Sequence, residues 1–152
     1  MIKLALYQPD IPQNVGAAMR LCACLGVSLE IIEPCGFVWD ERKIRQAGMD
    51  YIDKVTITRH GSWAQFLETN PGRRIVLMTT KADQPYTGFA FQDGDILLAG
   101  RESAGVPDDI HDSAHARIGI PMQGGLRSLN VVNAAAMILG EALRQTNALD
   151  KL

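Results

Sequence analysis

Arg127, Ser128 and Asn130 stand directly before an almost wholly apolar run, behind a loop that holds Gly124 and Gly125 and a β-type run, Arg117 to Ile120, halted by Pro121. A strand that empties into a glycine-containing loop at a helix N-terminus suits a polar small molecule. The loop backbone can approach closely, and the helix start offers N–H groups without intrahelical partners. A plain βα turn, with Ser128 or Asn130 as a helix cap, accounts for the same residues. Glu102 offers a carboxylate between the glycines of Gly100-Arg101-Glu102-Ser103-Ala104-Gly105-Val106-Pro107. It can bind a ligand amine or hydroxyl, or only cap the helix that follows. Arg20 is the one long side chain on a helical face otherwise made of Gly16, Ala17, Ala23 and Cys24. Small neighbours let a ligand or another backbone come near its guanidinium, while a solvated surface arginine is the bland alternative. Arg42, Lys43 and Arg45 can hold phosphates or simply face water.

Other familiar chemistries are missing. Gly100 and Gly105 have the phosphate-loop spacing, but Val106-Pro107 occupies the places of the required Lys and Ser/Thr. No strand runs into the dinucleotide fingerprint Gly-x-Gly-x-x-Gly. His111 and His115 mimic a helical zinc pair without an evident third ligand, so they read as surface histidines and no metal is expected. Cys22 and Cys24 read as core, and Cys35 has no evident base to activate it.

The elements that must position these residues alternate. Ile2 to Tyr7 reads as a buried strand. A helix capped by Asn14 runs to about Leu25 and ends at Gly26, with Val15, Ala18, Met19, Cys22 and Leu25 facing a core. Ser28 to Ile32 is a second strand, and Asp40 caps a short helix closed by Gly48. Val55 to Thr58 reads as a strand, followed by a Ser62-capped helix to about Thr69 and a turn at Asn70-Pro71-Gly72. Ile75 to Met78 and Ile96 to Ala99 are continuous apolar strands, with residues 82–94 between them loop-like. A short helix begins near Pro107, and the last helix spans Asn130 to Gln145. Short apolar strands alternating with helices imply an α/β domain, a mostly parallel sheet with helices on both faces. Ligands in such sheets sit beyond the carboxyl ends of the strands, where Met78, Gly100 and Ile120 fall. The last helix is apolar nearly all round, which calls for a second covering surface such as a dimer partner.

With 152 residues, 47% hydrophobic and 21% charged, the chain reads as one folded domain over residues 1–152. A net charge of −2 excludes a uniformly basic nucleic-acid coat but not a local basic patch. Three cysteines, no signal-like N-terminus and no apolar run of about 20 residues point to a reducing cytoplasm and no membrane partner.

The motifs Pro12-Gln13-Asn14-Val15-Gly16-Ala17-Ala18-Met19-Arg20, Gly100 to Pro107, and Ile120-Pro121-Met122 with Arg127-Ser128-Leu129-Asn130, Asn133-Ala134 and Glu141 to Gln145 occur in order. Ile32-Glu33-Pro34, Gly36 to Asp40, Arg45 to Gly48, Asp50-Tyr51 and Thr79-Thr80-Lys81 accompany them. In these the chain resembles the SPOUT class of S-adenosylmethionine-dependent RNA methyltransferases. Within that class it resembles the small bacterial enzymes that methylate the ribose 2′-hydroxyl of the tRNA wobble nucleotide. The resemblance covers essentially the whole chain. It implies a C-terminal trefoil knot, a cytoplasmic homodimer, a tRNA substrate and S-adenosyl-L-methionine as cofactor. It implies cofactor contacts at Met78, Gly100, Ile120, Met122, Ser128 and Asn130, and catalytic roles for Arg20 and Ser128. Arg20, Arg42, Lys43, Arg45 and Lys81 are the implied RNA contacts. The chain departs from the pattern at Gly140, where relatives often carry tyrosine. The rivals are a SPOUT enzyme acting on rRNA, whose members often carry an extra RNA-binding domain, and a non-catalytic RNA-binding dimer.

Overall fold

The computed structural model describes residues 1–47 and 51–152, so Gly48 and Asp50, singled out above, lie outside the described residues. In chain order the elements are β1 (Lys3–Tyr7), α1 (Pro12–Leu25), β2 (Ser28–Ile32), α2 (Glu41–Ala47), β3 (Ile57–His60), α3 (Trp63–Thr69), β4 (Ile75–Met78), β5 (Gln84–Pro85), β6 (Ile96–Ala99), α4 (Asp108–Ser113), β7 (Ala116–Gly119) and α5 (Val131–Gln145). Short 3₁₀ turns lie at Tyr51–Lys54, Tyr86–Gly88 and Leu149–Lys151. No helix among the described residues is long and apolar enough to cross a membrane.

The strands form one sheet in the order β3-β2-β1-β6-β4-β7-β5, and every neighbouring pair is parallel. Both faces are covered, which is why the central strands read as unbroken apolar runs. Leu4, Leu6, Leu29, Ile31, Val76, Leu97 and Ala99 point to one face, where α1, α2 and α5 deliver Met19, Cys22, Ile44, Ile138 and Leu139. Ala5, Tyr7, Ile32, Ile75, Leu77, Ile96 and Leu98 point to the other, under Phe66 of α3 and Ile110 of α4. The alternation within each strand is the two-residue period of the pleat.

Several boundaries differ from the sequence reading, each for a local reason. Helix α1 begins at Pro12, not after Asn14. Ile11 holds the extended N-cap backbone, and a proline at the first helical position loses no hydrogen bond. Asn14 therefore lies inside the first turn and caps nothing. Strand β3 starts two residues later than Val55, because its ladder with β2 pairs Leu29 with Ile57 and Ile32 with His60. Strand β7 ends at Gly119, leaving Ile120 to open the following loop. Within the loop-like stretch 82–94, Gln84 and Pro85 form an edge strand beside Ile118 and Gly119, a place where proline is tolerated. Pro107 is the N-cap of α4, not its first residue. Helix α5 buries Ala135, Ile138, Leu139, Ala142 and Leu143, and its outward side carries the apolar Met137 between the polar Asn133 and Arg144. Cys22 is core as read, but Cys24, two residues on around α1, is exposed.

Candidate functional site

Strands β6, β4 and β7 are neighbours in the sheet, so the loops after Ala99, Met78 and Gly119 leave side by side from one edge. Between them lies a cavity of about 1120 Å³. Its wall includes Met78, Lys81, Gly100, Ile120, Met122, Ser128 and Asn130, which brings all six expected cofactor residues and one expected RNA contact to a single place. Arg20, Arg42, Lys43 and Arg45 are outside this wall. Arg20 is exposed on α1 with its guanidinium 5.4 Å from the centre of the Tyr51 ring. Arg42 and Lys43 are exposed on α2, their backbone N–H groups donating to Asp40 Oδ1 at 3.0 and 3.3 Å, the cap anticipated from sequence. Arg45 is engaged within the chain, donating to both carboxylate oxygens of Asp53 at 2.7 and 3.4 Å. Asp53's carboxyl is held below its usual range by those bonds and by the Arg45 charge.

Two glycines make the cavity possible. A Cβ on Gly100 would sit 2.7 Å from the Cα and carbonyl carbon of Gly105 and 3.0 Å from the Val106 nitrogen. The reason is a tight loop in which Arg101 and Gly105 exchange backbone hydrogen bonds of 3.1 and 2.8 Å. A Cβ on Gly119 would sit 2.8 Å from the Thr79 carbonyl oxygen. The segment after β4 lies directly on β7 there, with the Thr79 N–H donating to the Ile118 carbonyl at 2.9 Å.

A chain of hydrogen bonds locks the cavity wall to α1. Glu102 Oε2 accepts the Asp10 N–H at 2.7 Å, and Oε1 accepts from Asn14 Nδ2 at 3.3 Å. Asn14 Oδ1 in turn accepts from Asn130 Nδ2 at 3.2 Å. Asn130 Oδ1 caps α5 by accepting from the Val132 and Asn133 N–H groups at 2.8 and 3.2 Å. Ser103 adds backbone and hydroxyl bonds to Asp10 Oδ2. Glu102 thus caps no helix; it holds the entry of α1 against the cavity rim. Asn14, expected to cap α1, instead links Glu102 and Asn130 across the cavity rim. Its polar side chain within the first turn of a helix was the available signal, and local capping explained it too readily.

Of the other candidates for nucleophilic or metal chemistry, His111 lines the cavity with its Nε2 buried and unpaired among the described residues, while Cys35, Cys22 and His115 are tied up in the fold. Burial pushes the Cys35 thiol up to about 11, helped by the Glu33 carboxylate and opposed by Arg59. Burial alone pushes Cys22 up to about 12. Thiols with such values are protonated at neutral pH and poor nucleophiles. His115 Nδ1 accepts the Ile75 N–H at 2.9 Å, joining α4's exit to β4.

The chain is similar to known proteins over nearly its whole length. Residues 1–140 match the SpoU rRNA Methylase family. A tRNA (cytidine(34)-2'-O)-methyltransferase of Beijerinckia indica is 60% identical over 151 residues, covering 98% of this chain and 94% of its own. A solved structure concerned with 2-OH methylation of C/U34 on tRNA superposes with a TM-score of 0.91 at 40% identity, covering 95% of both chains. The SpoU methyltransferase AviRb from Streptomyces viridochromogenes, solved with the cofactor AdoMet, superposes with a TM-score of 0.84 at 26% identity. It covers 95% of this chain and 60% of that one.

Proposed function

This chain belongs to the SpoU rRNA methylase family, and on that premise we propose that it transfers a methyl group from S-adenosylmethionine to the ribose 2′-hydroxyl of nucleotide 34, the wobble position, of tRNA. The observation that carries the reading is the convergence of Met78, Gly100, Ile120, Met122, Ser128 and Asn130 on one cavity at three adjacent strand ends. Relatives similar over nearly the whole chain are named for this reaction.

The residues present fit the cofactor. The cavity is larger than a drug-sized ligand requires, about 300–1,000 Å³. Its wall mixes Met78, Ile120 and Ile138 with the polar Thr79, Ser128 and Asn130, which suits a molecule with an adenosine at one end and an amino acid at the other. The bare Cα of Gly100 leaves room for the Gly105 backbone to fold tightly against it and shape the cavity wall. Bound there, S-adenosylmethionine supplies an electrophilic methyl group on a sulfonium. The protein's part is to bring a weak nucleophile into line and keep it there. An arginine keeps its proton at any physiological pH, so Arg20 acts by clamping a phosphate and orienting the hydroxyl, not as a base. Ser128, at the rim beside Asn130, positions the reacting groups. Lys81, at the same rim, and Arg42 and Lys43 on α2 meet the RNA backbone.

The finer architecture follows the same reading. The segment after β4 crosses β7 to form β5, and Gln145 of α5 bonds Phe89 and Phe91 in the stretch leading back to β6. That arrangement supports threading of the C-terminal part into a trefoil knot. Ile11, Met122, Leu126, Leu129 and Met137 expose apolar surface around the cavity mouth and on α5, which supports a homodimer; a tRNA substrate supports a cytoplasmic location.

The test is methyl transfer from labelled S-adenosylmethionine to bulk tRNA and to rRNA, with nuclease mapping of the modified ribose. Label at nucleotide 34 of tRNA is the expected result. Intact cofactor binding with no transfer to tRNA overturns the reading, and label in rRNA alone moves it to the rRNA enzymes. Arg20→Ala is expected to lower transfer by about 100-fold or more while cofactor affinity is kept. An undiminished rate removes Arg20 from the mechanism.

A further inference from the structure

We propose that Phe37, Val38, Trp39 and Arg59 form a stacking platform for an unpaired nucleobase next to the methylated nucleotide. The inference rests on the RNA-methyltransferase reading and adds to it a specificity surface outside the cofactor cavity.

The platform is fixed to the cavity rim. The loop after β2 leaves from the same sheet edge as the cavity loops. The Gly36 N–H donates to the Pro9 carbonyl at 3.0 Å. A Cβ on Gly36 would lie 3.1 Å from the Cα of Asp10. Asp10 is itself bonded to Glu102 and Ser103 of the cavity wall. A base seated on the platform would therefore keep a fixed relation to a ribose at the cavity.

Its chemistry is that of single-strand nucleic-acid recognition. The Phe37 and Trp39 rings lie 6.5 Å apart with planes 20° from parallel, and both are half-buried against the core. The Arg59 guanidinium sits 4.2 Å from the centre of the Trp39 ring. Two hydrogen bonds to Glu33, at 3.0 and 3.1 Å, hold its plane. In-plane bonding leaves the flat faces of a guanidinium for stacking; one covers Trp39, and Arg59 remains 41% exposed for a base on the other. Val38, at the tip, is 88% exposed although apolar. Arg42 and Lys43 follow immediately on the exposed side of α2. Aromatic faces interleaved with cations suit bases and phosphates together. Those cations favour a polyanion over a second copy of this chain as the occupant.

Trp39 is one of only two tryptophans in the sequence. In a Trp63→Phe background it becomes the sole indole reporter. Titration with a synthetic anticodon stem–loop RNA is expected to quench its emission. Val38→Glu places a like charge against the RNA without disturbing buried groups, and Arg59→Lys removes the flat guanidinium. Each is expected to raise KM for tRNA by about 5- to 150-fold, the range of one lost base stack, with cofactor affinity and melting temperature unchanged. Unquenched Trp39 emission at saturating RNA, or a KM for Val38→Glu within about twofold of the parent, overturns the proposal. So does a Val38→Glu variant that changes sedimentation as a smaller species while binding RNA normally, since the patch is then an interface between copies. Failure of the parent reading is distinct: the unmodified protein binds cofactor but transfers no methyl to tRNA.

Discussion

Glu102→Ala is the sharpest probe of how the site is held together. The Asp10 N–H bond at 2.7 Å is short and charge-assisted. Bonds of that kind contribute about 1.5–3 kcal/mol net. The Asn14 bond at 3.3 Å is long and contributes about 0.5 kcal/mol. Glu102 is only half-buried, so solvent takes up part of the loss and about 2 kcal/mol is a fair total. If the wall between Gly100 and Val106 stays ordered without ligand, that loss appears as stability. It then lowers Tm by about 4–8 °C in a domain of this size. If the wall orders only on binding, the loss appears instead as a cofactor Kd weaker by up to about 30-fold. Thermal melts and calorimetric titration with S-adenosylhomocysteine read both arms. Asn14→Ala alone is expected to cost less than Glu102→Ala, and the double variant less than the two single losses added together, because they share a bond. Unchanged Tm and unchanged Kd in Glu102→Ala, or strict additivity with Asn14→Ala, would refute the idea that this carboxylate joins α1 to the cavity.

Gly100→Ala forces a Cβ within 2.7 Å of Gly105 backbone atoms; loop displacement costs about 1–3 kcal/mol, and cofactor titration should show weakening of at least about tenfold, whereas normal binding would remove the cradle argument. Glu30 is buried between Lys3 Nζ at 3.0 Å and His60 Nε2 at 2.9 Å. Burial raises its carboxyl pKa, but the bonds and charges of His60 and Lys3 outweigh this and leave it below the ordinary 4.5. A depressed carboxyl stabilises the fold above its unfolded value and loses that contribution as pH falls through the folded one. Denaturant unfolding of Glu30→Gln should therefore show a deficit of about 3 kcal/mol at pH 7 that narrows as pH drops below about 4.5; a deficit independent of pH contradicts the assignment. Gly140 on α5 has no atom within 4 Å of where a Cβ would stand. In a solvated helix Gly140→Ala gains about 1 kcal/mol, or about 2–4 °C in Tm; a loss of Tm that deepens on dilution would instead place a second copy against that face.

How much of this was legible in sequence depends on how far each feature reaches along the chain. Strands β4 and β6 were read to the residue, because Ile75–Met78 and Ile96–Ala99 are unbroken apolar runs bracketed by polar residues. Strand β3 was misplaced because Val55 is as β-prone as Ile57 and only pairing with Leu29 decides between them. Strand β5 is two residues long and carries no periodicity at all. Met122, Ser128 and Asn130 came from the family resemblance, whereas Met78, Gly100 and Ile120 stand at strand ends, and a parallel sheet sends every such end to one edge. Their adjacency was a different matter. It requires β4 between β6 and β7, an order that no local pattern encodes.

Asn14 shows where such reading stops. Its type, before a small-residue helix, fits a cap, and the resemblance that marked its motif did not say what its amide touches. In the fold it bonds residues 88 and 116 positions away, and it does so because Pro12 starts the helix early enough to turn that side chain toward the cavity. Arg20 lies further along the same helix, outside the cavity wall but on the element tied to Glu102 and Asn130 through Asn14. On the proposed reading, the Glu102–Asn14–Asn130 chain is what ties the helix that carries Arg20 to the loops of the cavity, so loosening it is expected to reach Arg20 as well as the cofactor.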